Sequence, residues 1–357
     1  MDNKQKKYTG EAIELLKKLI VTQSFSREEN DVADLMAAYL SENGLKVNRQ
    51  DNNVWCWTAD IDASKPTVLL NSHLDTVKPS SKWTYNPFGA TVEGDKLTGL
   101  GSNDAGGPLV SLMATFLYLK DEELPFNLVF AATAEEEISG TNGVASILSE
   151  IGSVNLGIVG EPTQMQMAVA EKGLMVLDCE AHGKTGHAAR DEGENALYKA
   201  LKNIEWFKSY QFDKVSPHLG QVKMTVTQID AGSQHNVVPD SCRFVVDVRL
   251  NECYSNKELH HIIEQHVDCD VKPRSFRLNS SFIPVDHPLV KRGVDLGLSY
   301  YGSPTTSDQA VMDFTTIKIG PGDSARSHTP DEYIYLSEIE KGIDIYIKLL
   351  KGIKLSW

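Results

Sequence analysis

Residues 67–77 read TVLLNSHLDTV, an apolar run that leads straight into His73 and Asp75, set one leucine apart. A short apolar run of this kind reads as a buried strand, and three others share its form: LVFAA at 128–132, LGIV at 156–159 and TTIKI at 315–319. Between the first two lies GGPLVSLMATFLYLK, whose Leu109, Leu112, Met113 and Phe116 suit a helix that covers a mostly parallel sheet. Upstream, residues 9–20 place Ile13, Leu16 and Ile20 on one helical face. Val32, Leu35, Met36 and Tyr39 repeat that pattern until Gly44 caps it. The fold class is therefore α/β.

From about residue 174 the rhythm changes. MVLDCEA reads as a strand, ALYKALKNIEWFKSY as a helix, QVKMTVTQI and CRFVVDVRL as strands, KELHHIIEQHV as a helix and VKPRSFRL as a last strand. Strand, helix, strand, strand, helix, strand is the ferredoxin-like α+β order. It predicts a second domain over 174–280 inserted into a first that comprises 1–173 and 281–357, with SSFIPVDHPLV as the return and SEIEKGIDIYIKLLK as the closing helix.

Composition narrows the function. A chain of 357 residues holds two domains, and 41% hydrophobic with 24% charged residues describes an ordinary globular protein. The N-terminus lacks a signal-peptide core and no run is long enough to span a bilayer, so the expected location is the cytoplasm, with no membrane partner. Cys56, Cys179, Cys242, Cys253 and Cys269 are scattered and never form Cys-x-x-Cys, which suggests reduced thiols and neither a disulfide frame nor a thiolate zinc site. A formal charge of −14 repels polyanions, so nucleic acid is not an expected partner.

The four strand-like runs share a habit: a metal-ligand type follows each. TVLL leads to His73 and Asp75, LVFAAT to Glu135, Glu136 and Glu137, LGIVG to Glu161, and TTIKIGPGDSARS to His328. A Gly-rich turn, LTGLGSNDAGG, adds Asp104. Ligands of open α/β sheets gather outside the carboxyl ends of the strands, so the recurrence points to one shared site. Histidines and carboxylates without cysteine suit zinc, with cobalt and manganese as alternatives. Each piece alone has a plainer reading: a hydrogen-bonded loop histidine, a solvated acidic turn at 135–137, a helix cap at Asp104, an exposed turn at Glu161. Gly99 and Gly101 begin a dinucleotide fingerprint, but Asp104 stands where its third glycine belongs, and no P-loop or G-x-S-x-G elbow occurs.

In order along nearly the whole chain, SFSREE (24–29), HLDTV, GLGSNDAGG, TAEEEISG, GEPT, HGKTGHAA, NVVPD, VDVR and GPGDSARSHTPDE resemble the motifs of one family. That family is the dinuclear zinc hydrolases that include acetylornithine deacetylase, succinyl-diaminopimelate desuccinylase, aminoacylase and glutamate carboxypeptidase. The resemblance implies a zinc-exopeptidase-like catalytic domain with a ferredoxin-like dimerisation or lid domain inserted, two divalent metal ions, and a homodimer formed through the insert. His73 and Glu161 would hold one metal, Glu137 and His328 the other, and Asp104 would bridge them. Asp75 would orient His73. Glu136 would be the general base, and Glu135 stands where relatives commonly carry Asp.

His187 would assist at the neighbouring subunit's oxyanion; its plainer reading is a surface loop histidine. Arg249 and Asn236 would hold the substrate carboxylate, though Arg249 also reads as a surface salt bridge. Lys172 would hold the acyl group or mark a hinge. Ser307 and Asp308 read as a helix cap or as a family turn. One departure is visible: relatives often carry a lysine between the bridging aspartate and the glycine pair, whereas here Ala105 runs straight into Gly106 and Gly107. The implied activity is removal of an acetyl or succinyl group from an N-acyl amino acid, of the acetylornithine deacetylase type and in arginine biosynthesis. A di- or carboxypeptidase is the alternative enzyme, and an inactive metal-binding scaffold the alternative of another class.

Overall fold

All four apolar runs are strands, Thr67–His73, Asn127–Thr133, Leu156–Val159 and Thr315–Lys318, in a computed structural model that describes residues 1–355. They lie in the order Asn127–Thr133, Thr67–His73, Leu156–Val159, Thr315–Lys318, each parallel to its neighbour. Their carboxyl ends therefore share one edge. Register carries this to the residue: His73 stands beside Thr133, and Val159 beside both Asn71 and Lys318.

The first three strands are buried throughout, because both sheet faces are covered. Val68, Leu70, Leu128, Phe130 and Ile158 point into a core built with helices Asn3–Val21, Gly107–Leu119 and Leu336–Leu350. The alternate residues Leu69, Val129, Ala131 and Val159 meet the helix Val144–Ile151 on the other side. Helix Gly107–Leu119 has all thirteen residues buried, which explains its apolar sequence on every face.

Several boundaries differ from the sequence expectation. The first helix starts at Asn3, where Asp2 accepts a hydrogen bond from the Gln5 amide at 2.7 Å. The second, Asn30–Glu42, ends as expected at Gly44, whose φ of +78° lets Leu45 N reach Leu40 O and Gly44 N reach Ser41 O. The parallel strands also gain antiparallel neighbours: the hairpin Val47–Gln50 with Asn53–Trp57 on one side and Met167–Glu171 on the other. A small separate sheet joins Thr91–Glu93, Lys96–Thr98 and Tyr333–Tyr335.

The chain divides into two compact units. One comprises Met1–Val169, Phe282–Tyr301 and the described residues from Ser307 onward; the other comprises Ala170–Ser281 with Gly302–Thr306. Gly302–Thr306 joins the second unit through bonds such as Lys172 N to Ser303 O at 3.1 Å, a long-range pairing with no local sequence signal. In that unit four antiparallel strands lie in the order Lys223–Ala231, Ser241–Leu250, Gly173–His182, Asp270–Pro273, with helices Ala196–Ser209 and Asn256–Glu264. This is the ferredoxin-like arrangement. The last strand is shorter than expected, ending at Pro273.

Candidate metal centre

Because the parallel strands end together, the segments that follow them converge in the first unit. His73 is the last residue of its strand and is 2% exposed. Its Nδ1 lies 2.8 Å from the Asp75 carbonyl, which assigns the proton to Nδ1 and leaves Nε2 as the lone-pair face. Nε2 looks onto three carboxylates: Asp104 Oδ1 at 3.3 Å, Glu161 Oε1 at 3.8 Å and Glu136 Oε2 at 3.9 Å. His328, held at φ +57°, sets Nε2 2.9 Å from Glu137 Oε2 and 3.8 Å from Asp104 Oδ2. Asp104 thus offers one oxygen to each histidine. Two ligand groups emerge, His73 with Glu136 and Glu161, and His73 with Asp104 and Glu137.

Burial is the main cause that lifts the Glu136 carboxyl well above its usual range, raises Glu137 and pushes Glu161 up to about 8, with neighbouring carboxylates adding to each. Burial also opposes the charge of Asp104, but bonding to His73 outweighs it and holds this carboxyl low. For His73 burial is again the largest single cause and lowers the pKa, yet Asp104 and Asp75 together raise it well above normal. The Glu137 carboxylate raises His328 to about 9. Glu161 Oε1 is buried with no hydrogen-bond partner. Crowded carboxylates that cannot all ionise, and an orphaned oxygen among them, are what a pair of divalent cations neutralises. The donor set, imidazole nitrogen and carboxylate oxygen without sulfur, fits zinc, cobalt or manganese.

A shell of buried groups holds these side chains, and part of it escaped the sequence reading. Asp75, expected to orient His73, makes its nearest contact to that ring through its backbone carbonyl; its carboxylate is farther, at 3.4 Å. The carboxylate is otherwise engaged. Oδ1 accepts from Glu136 N at 3.0 Å, and Oδ2 from Glu137 N at 3.1 Å and Ser26 Oγ at 2.7 Å. Asp75 therefore positions the two glutamates as much as the histidine. The plainer reading of 135–137 as a solvated turn fails at Glu135, which is buried and accepts from Asn142 Nδ2 at 2.9 Å. Glu29, from SFSREE, is buried and accepts from Glu135 N at 3.2 Å and Asn52 Nδ2 at 2.8 Å.

Glu332 was not singled out, although it closes the quoted GPGDSARSHTPDE. Its carboxylate accepts from Asn103 N at 2.8 Å, Asp104 N at 2.9 Å and Gly101 N at 3.2 Å, gripping the turn that carries Asp104. Asp104 does not cap the following helix; Gly106 occupies that place. At the last candidate turn the cap is Ser307, whose Oγ lies 3.4 Å from Gln309 N, while Asp308 is buried and accepts from Thr133 Oγ1 at 2.9 Å. Burial pushes the Asp308 carboxyl up to about 6.

The remaining candidates lie in the second unit, in two groups. His187 is exposed on a two-residue strand opposite Val237, and Ala188 N bonds to Asn236 O at 2.9 Å, so His187 and Asn236 are neighbours. Arg249 and Lys172 meet through Thr306: Arg249 Nη1 is 3.4 Å from Thr306 Oγ1, which donates to the Lys172 carbonyl at 3.1 Å. One edge of the guanidinium is engaged, because Nε and Nη2 already donate to Asp247 at 2.8 and 3.0 Å. Arg249 thus makes a salt bridge to Asp247 within its own strand.

The chain is 27% identical to a probable succinyl-diaminopimelate desuccinylase of Staphylococcus aureus over 405 aligned positions, covering 96% of this chain and 98% of that one. It is 28% identical to a succinyl-diaminopimelate desuccinylase of Dinoroseobacter shibae over 260 residues, 68% of each chain. In three dimensions it is similar to the aminopeptidase PepT of Bacillus cereus, with a TM-score of 0.74 at 18% identity over 97% of this chain and 98% of that one. A metallo-carboxypeptidase of Sulfolobus solfataricus gives 0.70 at 18% identity, over 98% and 99%. At that identity the structures establish the fold alone. The profile of peptidase family M20/M25/M40 matches residues 69–352, most of the chain, so the protein belongs to that family and is a metal-dependent hydrolase of amide bonds.

Proposed function

We propose that this protein removes an acetyl or succinyl group from the amine of an N-acyl amino acid, as a cytoplasmic deacylase of the acetylornithine deacetylase type in arginine biosynthesis. The observation that carries the reading is the near full-length similarity to a desuccinylase. His73 and Glu161 would hold one divalent cation, Glu137 and His328 would hold the other, and Asp104 would serve both, zinc being preferred over cobalt or manganese. When bound, such a pair supplies a Lewis acid for the amide carbonyl and lowers the pKa of a water.

The protein's own groups do the rest. Glu136 takes a proton from the attacking water and passes it to the leaving amine, serving as base and then acid. Asp75 and Glu332 hold the loops that carry Glu136, Glu137 and Asp104. Asn236, Arg249 and Lys172 bind the substrate, and His187 donates to the oxyanion of a second copy's site. A homodimer through the second unit is supported by Tyr198 and Leu201, exposed on helix Ala196–Ser209, and by Ile229, exposed on the edge strand Lys223–Ala231. The cytoplasmic placement rests on five unpaired cysteines; among the described residues no helix is long and apolar enough to cross a membrane.

A second reading, a carboxypeptidase with the same metal chemistry, is favoured by 25% identity to a probable carboxypeptidase of Ajellomyces capsulatus over 92% of this chain. A panel of N-acetyl and N-succinyl derivatives of ornithine, citrulline and diaminopimelate, run beside dipeptides, separates the two. Turnover of the acyl amino acids alone is expected, and turnover of dipeptides alone would replace the first reading with the second. A chelator is expected to abolish activity and added zinc to restore it.

A further inference from the structure

The two histidines of the metal centre are held in different ways. His73 ends a buried strand and its side chain is 1% exposed, whereas His328 stands on the loop beyond Thr315–Lys318 and is 56% exposed. Packing fixes the first; the second depends on ties along its loop. Asn103 supplies one, donating through Nδ2 to Asp323 O at 3.0 Å and accepting through Oδ1 from Asp323 N at 2.9 Å. Glu332 supplies another through the amides of Asn103 and Asp104. Both bind the loop to the turn that carries Asp104. A third tie runs the other way, to helix Leu336–Leu350.

That tie is Arg326, two residues before His328. Its Nη1 and Nη2 donate to the two oxygens of Glu338 at 2.7 and 3.0 Å, a paired geometry that fixes direction as well as distance. Its Cζ lies 4.6 Å from the centre of the Tyr333 ring and 5.1 Å from that of Tyr335, and its side chain is 15% exposed. Glu338 is itself anchored in the first turn of the helix, accepting from Tyr335 N at 3.0 Å. At its backbone Arg326 closes the turn around His328, its carbonyl accepting from Thr329 Oγ1 at 2.7 Å. A lone cation so near a metal ligand would repel a divalent ion, but Glu338 neutralises it. What the pair supplies is therefore geometry.

We propose that Arg326 is a positioning residue for His328: its ion pair with Glu338, laid against the Tyr333 and Tyr335 rings, fixes the turn that presents His328 to the metal it shares with Glu137. This rests on the two-metal reading of the centre and adds a residue outside its ligand set. The test titrates chelator-stripped protein with zinc in competition with a chromogenic chelator. Arg326→Leu is expected to weaken the binding step that His328→Ala abolishes by about 10- to 100-fold and to leave the other within about twofold. Arg326→Lys, which keeps the charge but not the paired geometry, should fall between. Arg326→Leu with Glu338→Gln should lose no more than Arg326→Leu alone, since both remove one interaction. Unchanged or tighter zinc binding by Arg326→Leu, the result that charge alone gives, overturns the proposal. So does equal weakening of both steps, the sign of a general loss of structure. If the wild type takes up fewer than two zinc ions, the two-metal reading falls and hydrogen exchange in the metal-free protein decides the clamp. The amide of Ser327 donates to Ser324 O at 3.2 Å. Exchange there about tenfold faster in Arg326→Leu upholds the clamp, and an unchanged rate overturns it.

Discussion

Glu136 shows how little of a residue's chemistry is local. Beside Glu135 and Glu137 it is one of three identical side chains, yet Glu135 is locked to Asn142, Glu137 faces His328 and Glu136 faces His73. Backbone anchoring by Asp75 makes the difference. Glu136→Gln keeps size and loses the base, so kcat should fall by about 10²- to 10⁴-fold while metal content stays near that of wild type; retained turnover would show that another group accepts the proton. Protonation also sets a stability prediction for the metal-free protein. Glu161 has a folded pKa of about 8 against an ordinary 4.5, so between those values the folded state binds a proton that the unfolded chain has released. Stability of the metal-free protein should therefore fall as pH rises from about 5 to 8, and thermal melts across that range should show a declining Tm that metal loading flattens.

Elements explain why the ligands meet. Four parallel strands in register put four loops on one edge, and the recurrence of His, Asp and Glu after apolar runs made that edge legible in the sequence. Holding the ligands is another matter, because it depends on the small sheet of Tyr333–Tyr335 with Lys96–Thr98, pairs far apart in sequence. That sheet brings Glu332 to the amides of Gly101, Asn103 and Asp104. Glu332→Gln replaces one acceptor oxygen with a donor that faces backbone N–H groups. Metal affinity should drop about 10- to 100-fold, measured by competition with a chromogenic chelator, with the far-ultraviolet circular dichroism unchanged. In the same spirit Phe116, fully buried in helix Gly107–Leu119 against Phe130, should cost about 3–5 kcal/mol when cut to Ala, read by denaturant unfolding.

For the whole molecule, the proposed dimer yields a complementation test. His187→Ala and Glu136→Gln chains, each inactive, should regain activity when mixed if His187 serves a second copy's site, and a mixture that stays inactive after proven subunit exchange would end that role. Tyr198→Asp should shift the protein toward monomer in sedimentation, because an apolar ring that is 68% exposed on one copy needs a partner surface to cover it.

The sequence by itself determined the α/β class, the four central strands, the order of the second unit's elements and the list of ligand types, because hydrophobic period and residue chemistry are local properties. Tertiary structure alone decided that Asp75 grips Glu136 and Glu137, that Glu332 grips the Asp104 turn, and that Asp247 claims Arg249. Each of these is a hydrogen bond set by how side chains pack in the folded chain, and no periodicity along the sequence records it. TVLLNSHLDTV announced a strand and a ligand; which oxygen meets which nitrogen was written in the fold.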